Sequence, residues 1–170
     1  MKDSNQVLAQ VADFTCTGFD DAGEALDALL RVVQEILDFD TVLISEISRA
    51  SSQLRVHAVN NTHPGMTVPQ GLQIPLTASP CQHVASSVAP FTHGDMHADA
   101  ELALLPAAKD MGATSYVGVP VVLADGSFFG TLVGLDLASK ESTAEQLAWM
   151  RVMARLAALE LQRQDARQLA

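Results

Sequence analysis

In Ser79-Pro80-Cys81-Gln82-His83 a thiol stands two residues from an imidazole, directly after a proline, and the chain has one other cysteine, Cys16. A thiol near an imidazole is a pairing used in nucleophilic and redox chemistry. The spelling predicts local structure first: Ser79 as an N-cap, Pro80 as the first helical residue and Gln82 completing an S-x-x-Q capping box. Cys81 then falls in a first helical turn, where unpaired amides and the positive dipole end favour a thiolate. On that reading Cys81 labels faster than Cys16. The alternative is a small cysteine that only packs.

A second group, His93-Gly94-Asp95-Met96-His97-Ala98-Asp99, alternates imidazole and carboxylate. In an extended segment His93, Asp95, His97 and Asp99 would project to one side and, with His83 or Cys81, form an N/O site for iron or zinc. The same letters also read as a Gly94-Asp95 turn, with Asp99 capping the next helix and the histidines solvated. We adopt that second reading, so no metal is expected. Neither Gly65-Met66-Thr67 nor Gly112-Ala113-Thr114 has the spacing, or the following Lys-Ser, of a phosphate-cradling loop.

The elements that must position these groups follow from composition and periodicity. A chain of 170 residues is read as one domain with a real core. Ten basic against twenty acidic residues give a net charge of −10, which opposes a phosphate backbone or an anionic membrane. Neither is expected as a partner. The start, Met1 to Gln6, lacks the basic residues and apolar run of a signal peptide, and Pro120 with glycines interrupts the longest apolar stretch, so a soluble cytoplasmic protein is expected. Two distant cysteines without C-x-x-C spacing suggest reduced thiols.

Val7, Leu8, Val11 and Phe14 mark a short helix, and a second from Asp21 or Ala22 carries Leu26, Leu29, Leu30, Val33 and Leu37 on one face. Thr41 to Ser48 and Leu54 to Val59 read as a hairpin. Asn60 to Pro75 reads as a long surface connection with Leu72-Gln73-Ile74 as an edge strand. A helix from Ser79 to about Val88 precedes a short strand, Pro90 to His93, and a poor helix broken by Pro106. Ser115 to Val122 and Phe128 to Leu135 flank Asp125-Gly126, a strong hairpin signal. Ser142 and Glu145 read as a capping box opening a last helix. The class is α+β.

Gly112-Ala113-Thr114-Ser115-Tyr116-Val117-Gly118-Val119-Pro120, then Asp125-Gly126, then Gly130-Thr131-Leu132-Val133-Gly134-Leu135-Asp136 resembles the second half of a GAF domain. Cys81 and Asp95 fall where many bacterial GAF domains have a helical cysteine and an aspartate after the next strand. The resemblance organises the chain as an N-terminal helix (1–20), a GAF domain (21–163) and a polar helix end or tail (164–170). It implies a six-stranded antiparallel sheet with the terminal helices on one face and a small-molecule pocket on the other. GAF relatives bind cyclic nucleotides, amino acids, bilins, haem or metal, so the ligand stays open. Strand parity agrees: Val117, Val119 and Val121 suit the helices, while Tyr116 and Gly118 suit either a pocket or a core ring with its hydroxyl at the rim.

The combined expectation is a non-catalytic sensory domain whose ligand meets Cys81, His83, Asp95, His97, Tyr116 and Gly118, with no cofactor required. The last helix carries one apolar stripe, Leu147, Met150, Ala154, Ala157 and Leu161, beside another, Trp149, Val152, Met153, Leu156 and Leu159, which predicts homodimerisation together with the Val7, Leu8 and Val11 helix. One alternative is an enzyme resembling the GAF-type free methionine-(R)-sulfoxide reductases and using Cys81, although no later cysteine is available to recycle it. Another is a dimerisation module without ligand. A bilin is disfavoured because Gln82 separates Cys81 from His83.

Overall fold

A computed structural model describes residues 3–170. Helix α1 (Ser4–Cys16) opens on Asp3, whose carboxylate accepts from the Gln6 amide while the Gln6 side chain accepts from the Asp3 amide. Helix α2 (Ala22–Leu37) is capped by Asp21, which accepts from the Gly23 amide. The strands are β1 (Thr41–Ser48), β2 (Gln53–Asn61), β3 (Gln73–Pro75), β4 (Phe91–His93), β5 (Ser115–Val122) and β6 (Phe128–Asp136). They form one sheet in the order β3-β2-β1-β6-β5-β4, every pair antiparallel. Helix α3 (Cys81–Ser87), the short α4 (Pro106–Lys109) and the long α5 (Ala144–Gln168) complete the α+β fold. The expected class and six-stranded sheet are therefore present.

Period-two alternation sorts the strands into two apolar layers. Val117, Val119 and Val121 face the layer containing Leu26, Leu30 and Val33 of α2 and Met150, Ala154 and Ala157 of α5. Tyr116, Leu43, Val133 and Leu135 face the other layer, roofed by α3 and by the loops that carry Met66, Val68, Met96 and Leu102. The connection after β2 was expected on the surface, yet Met66 and Val68 are buried. Asn61 explains this: its amide oxygen accepts from the Val68 amide at 3.0 Å and its NH₂ donates to the Val68 carbonyl at 2.9 Å. The side chain thus replaces the strand partner that the loop backbone lacks.

Local expectations differ from the structure at four places. The last capping box is Thr143 with Gln146, one residue beyond Ser142 and Glu145. Gln146 wins because its Nε2 also donates to the exposed carbonyl ends of α2 at Ile36 and Leu37, which a glutamate could not do. Pro106 begins α4 instead of breaking a helix, with two short 3₁₀ turns before it. The Ser79 box does not form: Ser79 Oγ accepts from the Cys81 amide, and Gln82 reaches the Thr77 carbonyl. On α5, Met153 turns into the core, whereas Val152 and Leu159 stay exposed and Trp149 and Leu156 are partly covered. Val7 and Val11 of α1 are likewise buried within the chain, leaving Leu8 exposed.

The end of β6 is fastened to the start of β1 by two aspartates. Asp136, buried, accepts from the Asp40 and Ala138 amides and from Lys140 Nζ at 2.8 Å, while Asp40 accepts from the Leu137 amide. Removing the Asp136 carboxylate strands the Asp40 and Ala138 amides and takes from Lys140 its counter-charge, leaving it the Asp38 carbonyl. Asp136→Ala is therefore expected to cost about 3 kcal/mol, read as a lower urea midpoint at unchanged m-value.

Candidate ligand-binding site

Cys81 begins α3 and points at the sheet, 3 % exposed. Its sulfur accepts from the Tyr116 hydroxyl and from the Thr131 hydroxyl, both at 3.3 Å, and Thr131 in turn lies 2.5 Å from Ser45 Oγ. Proton counting fixes the remaining direction: Thr131 gives its hydrogen to sulfur, so Ser45 donates to Thr131. Each of the three hydroxyls has a partner, without which burial would cost roughly 1–3 kcal/mol apiece. The S–H hydrogen of Cys81 stays uncommitted. Burial, then the adjacent Cys81 sulfur, pushes the Tyr116 phenol well above its ordinary range, so it remains a neutral donor.

Ser45 and Thr131 were not anticipated as site residues. Their signal is a polar residue at the inward parity of an otherwise apolar strand: Leu43, Ser45, Ile47 on β1 and Thr131, Val133, Leu135 on β6.

Beside this network lies a cavity of ≈ 90 Å³, walled by Leu54, Val68, Ile74, Met111, Cys81 and Tyr116 among others. Of the expected ligand residues, only Cys81 and Tyr116 line it. His83 stacks on Phe91 at 4.5 Å between ring centroids, and Phe91 leans on Tyr116 at 5.9 Å. Gly118 makes room for the protein's own ring, since a Cβ there would sit 2.3 Å from the Tyr116 oxygen. Asp95 caps a 3₁₀ turn by accepting from the His97 amide at 3.1 Å, and His97 is exposed.

The His93 to Asp99 segment is bent rather than extended, so its side chains do not share one side. His93 Nδ1 accepts from the Asp95 amide, and its Nε2 is 3.9 Å from the Asp99 carboxylate. Asp99 accepts from the Leu102 and Glu101 amides, which hold its carboxyl below the usual range. Among the described residues no three His, Cys, Asp or Glu side chains are disposed to hold a metal ion.

A wider cleft of ≈ 540 Å³ lies between the N-terminus of α2, β2 and the end of α5, and it is open and mixed in charge. Its cations are already engaged: Arg55 with Glu46, and Arg167 with the Asp20 carbonyl. Burial, then the Arg55 charge, holds His57 in this cleft below its ordinary value. The smaller cavity is the better candidate site, because it is less open than the cleft and its wall is almost wholly apolar, with Ser79, Cys81 and Tyr116 as its polar residues.

The family model described as GAF domain matches residues 21–161. No curated protein matches the sequence. Among solved structures, the chain is similar to the GAF domain from an Acinetobacter phosphoenolpyruvate-protein phosphotransferase, at TM-score 0.77 and 12 % identity over 100 % of both chains. It is also similar to a bacteriophytochrome from R. palustris, at TM-score 0.73 and 14 % identity, covering 94 % of this chain and 37 % of that one. A third relative in structure is the chromophore-binding domain of the Stigmatella aurantiaca bacteriophytochrome, at TM-score 0.71 and 14 % identity, covering 92 % of this chain and 59 % of that one.

Burial reverses the labelling order expected from helix position. Cys16 is exposed, whereas Cys81 reacts only after α3 opens. Maleimide mass labelling in native buffer is expected to modify Cys16 at least about tenfold faster, with the difference lost in denaturant.

Proposed function

The chain belongs to the GAF domain family, and we propose that within it this protein is a cytoplasmic sensory or regulatory module that binds a small molecule and signals as a homodimer, without catalysing a reaction. The observation that carries this reading is the apolar cavity on the sheet face left free by α1, α2 and α5, with Cys81 and Tyr116 in its wall. Related structures include chromophore-binding domains of bacteriophytochromes, which supports a sensory role at the level of the fold. A cavity of ≈ 90 Å³ favours a much smaller guest than a large conjugated chromophore. No helix among the described residues is long and apolar enough to cross a membrane, which agrees with a cytoplasmic assignment. The net charge of −10 argues against nucleic acid as a direct partner.

The sulfoxide-reductase alternative needs a second thiol near the first. Cys16 ends α1, in the helix layer, and Cys81 lies across the sheet in the other layer, which favours the non-catalytic reading. Native mass spectrometry of freshly purified protein is expected to find a retained small molecule and less than one metal ion per chain. The same preparation should show no methionine-(R)-sulfoxide turnover with dithiothreitol or thioredoxin. Robust turnover abolished by Cys81→Ser would replace this reading with the enzyme.

Dimerisation is supported by a seam on α5. Trp149, Val152, Leu156 and Leu159 follow 3-4-3 spacing, the stripe used by paired helices, and Val152 and Leu159 are 43 % and 45 % exposed. Leu8, 57 % exposed on α1, is a further apolar group without cover in the single chain. Light scattering at micromolar concentration is expected to give a dimer mass, and Val152→Glu with Leu159→Glu a folded monomer. A wild-type chain that stays monomeric as concentration rises would sink the dimer.

A further inference from the structure

The cavity wall restricts the chemistry of its guest. Leu43, Leu54, Val56, Ile74, Val133 and Leu135 supply its sheet side, and Leu72, Pro106 and Met111 supply much of the rest. Among the described residues no charged side chain lines it. His83, Asp95 and His97, the groups able to carry charge that were expected there, are stacked on Phe91, committed to a turn and exposed to solvent. An ion entering this space would lose its water without gaining a counter-charge, which is the most costly form of burial.

The polar end is equally restrictive. Tyr116 and Thr131 donate their hydrogens to the Cys81 sulfur, which leaves Cys81, in the cavity wall, with its S–H as a weak donor. Ser79 Oγ accepts from the Cys81 amide and keeps its own hydrogen. Two adjacent donors can serve one acceptor atom of a guest. They cannot serve a phosphate, a carboxylate or the several polar edges of a nucleobase.

Size sets the last limit. A cavity of ≈ 90 Å³ is of the same order as the ~150 Å³ apolar cavity that accommodates benzene with room to spare, and well under the ~300 Å³ at which drug-sized pockets begin. We infer that the guest of this cavity is an uncharged, mainly apolar molecule no larger than about a single ring, carrying at most one oxygen acceptor beside Cys81 and Ser79. This rests on the reading that the cavity binds a small molecule, and it narrows that reading to one ligand class.

Met111 lies in the wall and is a natural reporter. Full-length protein labelled with [methyl-¹³C]methionine, its Met111 signal assigned with Met111→Leu, is titrated with toluene and phenol, and in parallel with benzoate and cyclic AMP. The expected result is a saturable shift of the Met111 methyl with toluene and phenol, and binding at least about tenfold weaker for benzoate, which keeps the ring and carries a charged carboxylate in place of the methyl. Val133→Phe and Leu54→Phe, each placing a larger side chain into the space, should abolish the toluene shift. A toluene shift that survives in either variant, shown to be folded by circular dichroism, overturns the location. The wild-type comparison decides the ligand class whether or not these variants fold. Benzoate or cyclic AMP binding as tightly as toluene overturns the neutral class while leaving a ligand-binding cavity in place. Should none of the probes shift Met111, the class is overturned. A retained molecule in native mass spectrometry would then keep the broader reading, and its absence would remove both.

Discussion

Burial of the central strands on both faces is the constraint on which the rest of this molecule depends. β1, β5 and β6 have one set of side chains under α2 and α5 and the alternate set under α3 and the loops. A register slip of a single residue would exchange Val117 with Tyr116 and leave hydroxyls among the helices and valines in the cavity wall. The sheet is held in register at its open end by Asp136 and Asp40, which tie β6 to the start of β1. It is shaped at the other end by Gly130, where a Cβ would lie 1.8 Å from the Ser45 carbonyl. Backbones can approach that closely only at a residue with no side chain.

Within that frame the Ser45, Thr131, Cys81 and Tyr116 chain is a polar seam in an otherwise apolar layer. Such a seam is worth little net stability when satisfied and is costly when broken, so it specifies geometry more than it adds free energy. It joins α3 to both β5 and β6 through one sulfur. α3 is held at its other end by Arg49, which donates to the Ala85 carbonyl at 2.7 Å and lies over the Phe128 ring. The roof of the cavity is therefore fastened to its floor at two points.

The two layers are also mechanically adjacent. Tyr116 faces the cavity and Val117, the next residue, faces the helices, so a guest that displaces the phenol acts on the same backbone that seats α5. β5 pairs with β6 along its whole length, from Ser115 with Asp136 to Val122 with Phe128. A displacement at Tyr116 is thus borne by two strands, not by one flexible edge.

What the sequence determined is what depends on neighbours in the chain. The Ser115 to Val122 alternation, the Asp125-Gly126 turn and the amphipathic α2 are written in spacing, because a strand, a hairpin or a helix is chosen by residues a few positions apart. Strand parity and the family resemblance assigned Cys81 and Tyr116 to the pocket side, and the contact between them belongs to the tertiary structure. Tertiary structure decided the rest. Thr143 and not Ser142 caps α5 because Gln146 has to reach carbonyls at the end of α2, 110 residues away in sequence. α3 ends at Val88, where the sequence places its end, but does so with φ 49, a left-handed conformation that a β-branched residue does not advertise. His83, Asp95, His97 and Gly118 stand near Cys81 or Tyr116 in the sequence or pattern, yet stacking on Phe91, a local turn, solvent and the tyrosine ring itself claim them. Ser45 and Thr131, 86 residues apart, meet each other, and Thr131 carries the contact on to the Cys81 sulfur, with no motif linking the three. Contacts of that range are set by which faces the sheet buries, and no local pattern encodes which polar groups will share a buried face.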